Sequence, residues 1–117
     1  MRYVLLVCTD PSGEDYDPAG DNIGEWVGQL DAAGKRVFGQ RLEPAKKALT
    51  VRKRKGKLLV TNGPFAETKE WIAGFDLLEC DSMDEAVEIA GRHPMARFGR
   101  IEVRALWPMD TGIQDRL

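Results

Sequence analysis

Two amphipathic helical segments, each set between short strand-like segments, constrain the fold of this chain more than any other feature. In the first, Asp21 is a candidate N-cap and Gly34 a candidate left-handed C-cap. Between them, apolar residues recur at the spacing of one helical face: Ile23, Trp26, Val27 and Leu30. This pattern predicts a helix with one buried side.

The second helical segment has clearer boundaries. Ser82 and Glu85 form a capping box at its start. The predicted buried stripe is Met83, Ala86, Val87 and Ala90. Gly91 ends the helix, and Pro94 is expected to prevent its resumption.

Short segments rich in β-branched and aromatic residues surround these helices. Four are predicted to be strands: Tyr3–Cys8, Lys35–Leu42, Trp71–Cys80 and Arg100–Leu106. Gly74 indicates a bulge or a close backbone approach within the third of these. Alternation on both sides of Lys55-Gly56 predicts a hairpin of Ala48–Arg54 with Lys57–Thr61.

This order of elements predicts an α+β domain in which both helices pack on one face of an antiparallel sheet. The other face then lacks a cover, and a second copy of the chain is the simplest one, so we expect a homodimer. Neither a linker nor a repeat divides the chain. We therefore expect one domain over residues 1–107 and a C-terminal tail over 108–117.

Composition excludes several classes of protein. With 17 basic and 19 acidic residues the net charge is −2, so nucleic acid is an unlikely main partner. Two cysteines and one histidine cannot form a closed four-ligand Cys/His zinc site, and we predict no metal or cofactor. No apolar run approaches the length of a membrane span, and no signal peptide is evident. We therefore expect a cytoplasmic protein without membrane partners.

The predicted hairpin tip is strongly basic. It carries five cationic residues within six positions: Arg52, Lys53, Arg54, Lys55 and Lys57. One interpretation is a contact for an anion or a nucleic acid. The favoured interpretation is a solvated tip that discourages edge-to-edge aggregation, because no aromatic residue is interleaved and the chain as a whole is acidic.

His93 is the candidate for acid–base chemistry, since it is the only histidine. It follows a helix and precedes a proline, so we expect it in a loop rather than in the core. The alternative is a polar residue at the end of a helix. Cys8 and Cys80 each end an apolar strand and are expected to be buried and inert.

Residues 62–70 form the other concentration of polar groups. Glu67 is a candidate catalytic carboxylate beside the amine of Lys69, and Asn62, Phe65 and Lys69 are candidate ligand contacts. The alternative is a crossover loop in which Asn62 makes a turn and the charged side chains are solvated. No Walker loop, dinucleotide fingerprint or serine elbow is present.

The segment from Leu59 to Glu70, with the core Asn62-Gly63-Pro64-Phe65-Ala66-Glu67-Thr68-Lys69-Glu70, resembles the signature of the DGPF branch of the YCII-related family. The first strand, from Met1, and the last, Gly99–Arg104, are also similar to that family. The resemblance spans about residues 1–107. Asn62 stands where the branch has an aspartate, which puts any role that needs a carboxylate there in doubt.

The resemblance implies a ferredoxin-like fold that pairs into a dimeric α/β barrel. Some members of the broader family place a histidine and an aspartate in a cleft, which suggests Asp76 as the acidic partner of His93. Together with the single histidine and the polar segment 62–70, this motivates the hypothesis of a small-molecule enzyme that acts in a cleft of the dimer, with His93 as acid or base and Asp76 or Glu67 as its acidic partner. The alternative that it leaves open is a non-catalytic ligand-binding or regulatory accessory module.

Overall fold

The computed structural model describes residues 1–63 and 70–108. Its six strands are β1 (Arg2–Cys8), β2 (Arg36–Arg41), β3 (Leu49–Arg54), β4 (Lys57–Asn62), β5 (Ile72–Glu79) and β6 (Arg100–Ala105). Its α-helices are α1 (Ile23–Ala32), α2 (Met83–Gly91) and α3 (Met95–Phe98), and two short 3₁₀ turns cover Pro18–Gly20 and Ala45–Lys47.

Four strands form one antiparallel sheet in the order β2-β5-β1-β6. The predicted α+β class is confirmed, and this strand order is compatible with a ferredoxin-like arrangement. One face of the sheet and the two long helices build the core. Its buried members are Tyr3, Leu5, Leu78 and Cys80 from or beside the strands, and Trp26, Leu30, Ala86, Ile89 and Ala90 from the helices.

Helix α1 begins and ends near the predicted residues. Trp26 and Leu30 are buried, and the indole N–H of Trp26 donates to the carbonyl of Ile89 in α2 at 3.0 Å. Gly34 follows the helix with φ +69°, the left-handed conformation that glycine adopts without strain. Asp21 lies one position before the N-cap Asn22, and its carboxylate accepts from the backbone N–H of Ile23.

Helix α2 keeps its predicted cap but not its predicted stripe. The hydroxyl of Ser82 accepts from the backbone N–H of Glu85 at 3.1 Å, as a capping box requires. The buried residues are Ala86, Ile89 and Ala90, whereas Met83 and Val87 are exposed. Val87 was the wrong choice because it lies about 100° around the helix axis from Ala86, toward solvent.

The expectation that Pro94 prevents further helix is also wrong. A second helix, α3, starts directly after it, with Pro94 at the N-cap position. The φ of Pro94 is −57°, which suits the first turn of a helix, where the missing N–H of proline is not needed. The chain therefore ends one helix at Gly91 and begins another at Met95, with His93 between them.

The hairpin prediction is confirmed, but the hairpin forms a separate two-stranded sheet. Strands β3 and β4 pair from Leu49 with Asn62 to Arg54 with Lys57. The two turn residues, Lys55 and Gly56, have φ of +52° and +77°, as a tight hairpin turn requires.

The face of the large sheet opposite the helices carries half-buried apolar side chains. From the pairing register these are Val4 and Leu6 of β1 and Phe75 and Leu77 of β5. The exposed ring of Phe38 on β2 lies on the same face. No helix in the described ranges covers them. None of those helices is both long and apolar enough to cross a membrane.

Candidate functional site

Two irregularities in strand pairing shape one end of the large sheet. Between β1 and β5, Val7 pairs with Gly74 but Cys8 pairs with Ile72, which leaves Ala73 as an extra residue. The predicted bulge at Gly74 is thereby confirmed. A β-carbon on Gly74 would lie 3.0 Å from the carbonyl oxygen of Gln40 on β2, so glycine allows the two strands to approach closely.

The second irregularity lies in β2, where Arg36 pairs with Leu78 and Phe38 with Leu77, so that Val37 is the extra residue. Side chains alternate between faces along a regular strand, and an extra residue reverses that alternation. Arg36 and Gly39 therefore face the same side although they are three positions apart. This is the side on which Asp76 lies, because Asp76 pairs with Gly39.

Arg36 and Asp76 form a partly buried ion pair on that side. The guanidinium Nε of Arg36 donates to Oδ1 of Asp76 at 2.9 Å, and Asp76 is only 6% exposed. Burial raises the pKa of the Asp76 carboxyl, and Arg36 opposes that rise. A β-carbon on Gly39 would lie 2.0 Å from Oδ1 of Asp76, so only glycine leaves room for this carboxylate.

A cavity of about 850 Å³ opens at this end of the sheet, which is within the usual size range of ligand sites. The ends of β1 and β2, the first half of β5, the start of α1 and the link between α2 and α3 form its walls. Its polar side chains are those of Thr9, Tyr16, Asp21, Arg36, Gln40, Arg41, Asp76 and His93. The remaining lining is apolar or glycine and includes Val27, Phe75 and Met95.

His93 lies in the loop between α2 and α3, as predicted, but the expectation that it avoids the core is wrong. It is 6% exposed, and its ring packs edge-on against the indole of Trp26 with the ring centres 4.6 Å apart. Burial lowers the pKa of His93 to about 4. The imidazole is therefore neutral at pH 7. The short α3 explains the burial, because the chain turns back at Pro94 instead of running out into solvent.

One hydrogen bond defines the chemistry of the His93 ring. Its Nδ1 accepts from the backbone N–H of Met95 at 3.0 Å. A neutral imidazole that accepts at one nitrogen carries its proton on the other, so Nε2 is the N–H donor. Within residues 1–63 and 70–108 no group hydrogen bonds to Nε2. The donor of His93 is thus available to a molecule in the cavity.

His93 and Asp76, two of the predicted catalytic residues, line the same cavity. The carboxylate that acts on the His93 ring, however, is that of Asp21, which tends to raise its pKa. Asp21 accepts a hydrogen bond from the hydroxyl of Tyr16 at 2.6 Å. This hydrogen bond raises the pKa of the Tyr16 hydroxyl, and burial and the charge of Asp21 add to the rise.

One other predicted site residue lies away from the cavity. Asn62 is exposed at the end of β4 and is not part of the cavity wall. Glu67, Phe65 and Lys69 lie outside the described residues.

Sequence reasoning did not assign Tyr16, Asp21, Arg36 and Arg41 to the site. The sequence pattern marks Asp21 only as a helix cap, and nothing in the local pattern around Arg36 signals the bulge that turns it inward. Arg41 lines the cavity, is exposed, and has no ion pair with any described residue. The acidic segment before α1 was the available signal, because loops that precede a helix often carry functional side chains.

The two thiols are buried, as predicted. Burial raises the pKa of both Cys8 and Cys80, which keeps them protonated and poorly nucleophilic. In the described part of the chain, no group of three or more His, Cys, Asp or Glu side chains is arranged to hold a metal ion.

Comparison with known proteins identifies the family. The family model of the YCII-related domain matches residues 1–110, nearly the whole chain. The chain belongs to the YCII-related family. This YCII-related chain is also 48% identical over 76 residues to an uncharacterized protein of Rhizobium meliloti (strain 1021). That match covers 63% of this chain and 61% of the relative, so the chain spans about three fifths of the relative's length.

Proposed function

We propose that this YCII-related chain binds a small, largely apolar molecule that carries an acceptor oxygen, such as a carbonyl, in the cavity beside His93. The observation that carries the proposal is the hydrogen bond from the Met95 N–H to Nδ1 of His93, which makes Nε2 a donor. Because His93 is only 6% exposed, a ligand oxygen that accepts from Nε2 forms its hydrogen bond in a largely buried environment, where such a bond is electrostatically stronger than in water. The apolar lining supplies the remaining binding energy.

A matched set of probes tests this proposal. Acetophenone has a carbonyl acceptor, ethylbenzene has a similar hydrocarbon shape without oxygen, and benzoate adds a negative charge. We expect acetophenone to move the Nε2–H signal of His93 and to stabilise the protein more than ethylbenzene does. If none of the three probes shifts the Nε2–H signal of His93, the proposal is contradicted. If benzoate stabilises the protein more than acetophenone does, Arg41 contributes a charge contact to binding.

Two variants of His93 separate the donor from the rest of the ring. His93→Gln can place an amide N–H donor near the position of Nε2, whereas the shorter amide of His93→Asn reaches only the position of Nδ1 and leaves no donor at that of Nε2. The preference for acetophenone over ethylbenzene should survive in His93→Gln and vanish in His93→Asn. Loss of the preference in both variants would indicate that ring packing, rather than the donor, determines binding.

The second candidate is an enzyme in which His93 transfers a proton, with Asp76 or Glu67 as the acidic partner. The presence of His93 and Asp76 in one cavity favours it. A base at Nε2 would first need its proton moved to Nδ1, at the expense of the bond from Met95. The test is exchange of the methyl protons of acetophenone in D₂O. Exchange above the buffer rate that is lost in His93→Gln would support the enzyme.

We further propose that two copies pair through the uncovered face of the sheet as a ferredoxin-like dimeric α/β barrel. The half-buried Val4, Leu6 and Leu77 and the contacting rings of Phe38 and Phe75, whose centres are 5.9 Å apart, support this proposal. A solution mass of 13.1 kDa at all concentrations would contradict the dimer.

We also propose that the chain belongs to the DGPF branch of the family, on the basis of the motif at residues 62–70. A cytoplasmic location is consistent with the free thiols Cys8 and Cys80.

A further inference from the structure

The hairpin of β3 and β4 exposes an apolar face that the rest of the described chain does not cover. From the register, one face carries Leu49, Val51, Leu58 and Val60, each more than half exposed, with Asn62 beside Leu49 at its base and Lys53 beside Leu58 near the tip. The opposite face carries the half-buried Thr50 and Arg52. The hairpin therefore turns its more apolar side outward, against the usual preference of a soluble protein.

A two-stranded hairpin is marginally stable by itself in water, and an exposed apolar face adds a tendency to associate. The hairpin shares no strand pairing with the four-stranded sheet. These two facts together favour another surface that packs on the apolar side.

The distribution of charge along the chain indicates which surface packs on the hairpin. The hairpin tip carries five cations within residues 52–57 and no acidic residue. The rest of the chain therefore has a net charge of −2 − 5 = −7. Its most acidic stretch is residues 10–21, which carry five acidic residues and no Lys or Arg: Asp10, Glu14, Asp15, Asp17 and Asp21. Asp10 and Glu14 already pair with Arg100 and Arg97 of their own chain, whereas Asp15 and Asp17 form no ion pair within the described ranges. The segment around Asp15 and Asp17 of a second copy thus presents a charge opposite to that of the hairpin tip.

We propose that the hairpin is a dimerisation arm, whose apolar face packs on a second copy of the chain with its basic tip toward the acidic segment 10–21 of that copy. The inference rests on the dimer proposed above and adds a second contact to it. Because Tyr16 and Asp21 of the acidic segment line the ligand cavity, the arm of one copy would approach the cavity of the other.

The test compares two lysine substitutions on the same hairpin by sedimentation equilibrium. Val51→Lys puts a charge into the centre of the apolar face, whereas Thr61→Lys adds the same charge on the opposite face. We expect Val51→Lys to raise the dimer dissociation constant about tenfold or more, and Thr61→Lys to change it less than about threefold. Val51→Thr, which keeps a β-branched side chain, should raise it by a smaller amount without loss of strand propensity.

A third substitution, Phe38→Lys on the uncovered sheet face, distinguishes the two proposals. If Phe38→Lys dissociates the dimer and Val51→Lys does not, the arm is wrong and the sheet dimer stands. If the wild-type protein is monomeric at every concentration, both are wrong.

A separate experiment tests the proposed contact between the basic hairpin tip and the acidic segment 10–21. Lys55→Glu should weaken the dimer, and Asp15→Lys in the same chain should restore part of the loss; additive losses would overturn the proposed orientation. Binding of a DNA duplex at low salt that Lys55→Glu abolishes, with no change in mass, would assign the basic tip to nucleic acid instead.

Discussion

The two sheets of this protein differ in how they satisfy their apolar residues. In the four-stranded sheet Leu5 and Leu78 are fully buried beneath α1 and α2, and the bulged end of the same sheet positions Arg36, Asp76 and a ligand-sized cavity. In the hairpin of β3 and β4 the corresponding leucines and valines are exposed. The comparison shows that helices of the same chain cover the core face of the large sheet, whereas no described element covers the apolar face of the hairpin.

The largest expected effect tests that difference directly. Leu5→Ala removes a fully buried side chain from the core and should lower the free energy of unfolding by about 3 kcal/mol. Leu58→Ala, at a position that is 65% exposed, should change it by less than about 0.5 kcal/mol in dilute, monomeric protein. Urea denaturation measures both. A large loss in dilute Leu58→Ala would mean that the hairpin packs within its own chain.

The second prediction concerns pH. His93 has a pKa of about 4 in the folded protein, below its ordinary value of 6.5, so protons bind more readily to the unfolded chain. Its contribution to stability is complete above pH 6.5 and falls as the pH decreases toward 4, by roughly 3 kcal/mol over the whole window.

Other carboxyl groups titrate near the lower end of that window, so the measurement is a difference. The pKa of Asp76 is raised and that of Glu85 is lowered, so the two groups change the unfolding free energy in opposite directions as the pH falls. The unfolding free energies of wild-type protein and His93→Gln at a series of pH values between 7 and 4 isolate the histidine. A difference that does not change with pH would show that His93 titrates normally.

The third prediction concerns the bulged end of the sheet. Gly39→Ala would place a β-carbon onto the buried carboxylate of Asp76 and displace its ion pair with Arg36. We expect a loss of about 2 kcal/mol in unfolding free energy and weaker binding of acetophenone. Gly28→Ala is the control, because it lies in α1 with no atom within 4 Å of the new carbon, and it should be neutral or slightly stabilising. Equal effects of the two substitutions would contradict the account of Gly39.

The sequence predicted the elements better than it predicted the site. The capping box at Ser82, the C-cap at Gly34, the bulge at Gly74 and the hairpin turn each depend on local chemistry, which a single sequence displays. These signals extend over only a few neighbouring residues, so they do not report how one element packs against another. The predicted buried side of α2 therefore includes Val87, which faces solvent in the structure.

The site depends on contacts between distant segments. Asp21 and His93 are 72 positions apart, and they come together only because α1 and the link between α2 and α3 border one cavity. The bulge at Val37 reverses the facing of Arg36, and no residue preference marks it. The burial of His93 follows from the restart of the helix after Pro94, a geometry that a helix-breaking rule for proline misses.

The central claim is that His93 is a neutral ring with its proton on Nε2, and nitrogen NMR of the ring tests it most directly. Because the chain has one histidine, the two ring nitrogen signals are assigned without ambiguity. The account predicts a protonated Nε2 and an unprotonated, hydrogen-bonded Nδ1 at pH 7, with no titration between pH 8 and about 5. A ring that titrates near 6.5, or that carries its proton on Nδ1, would contradict it.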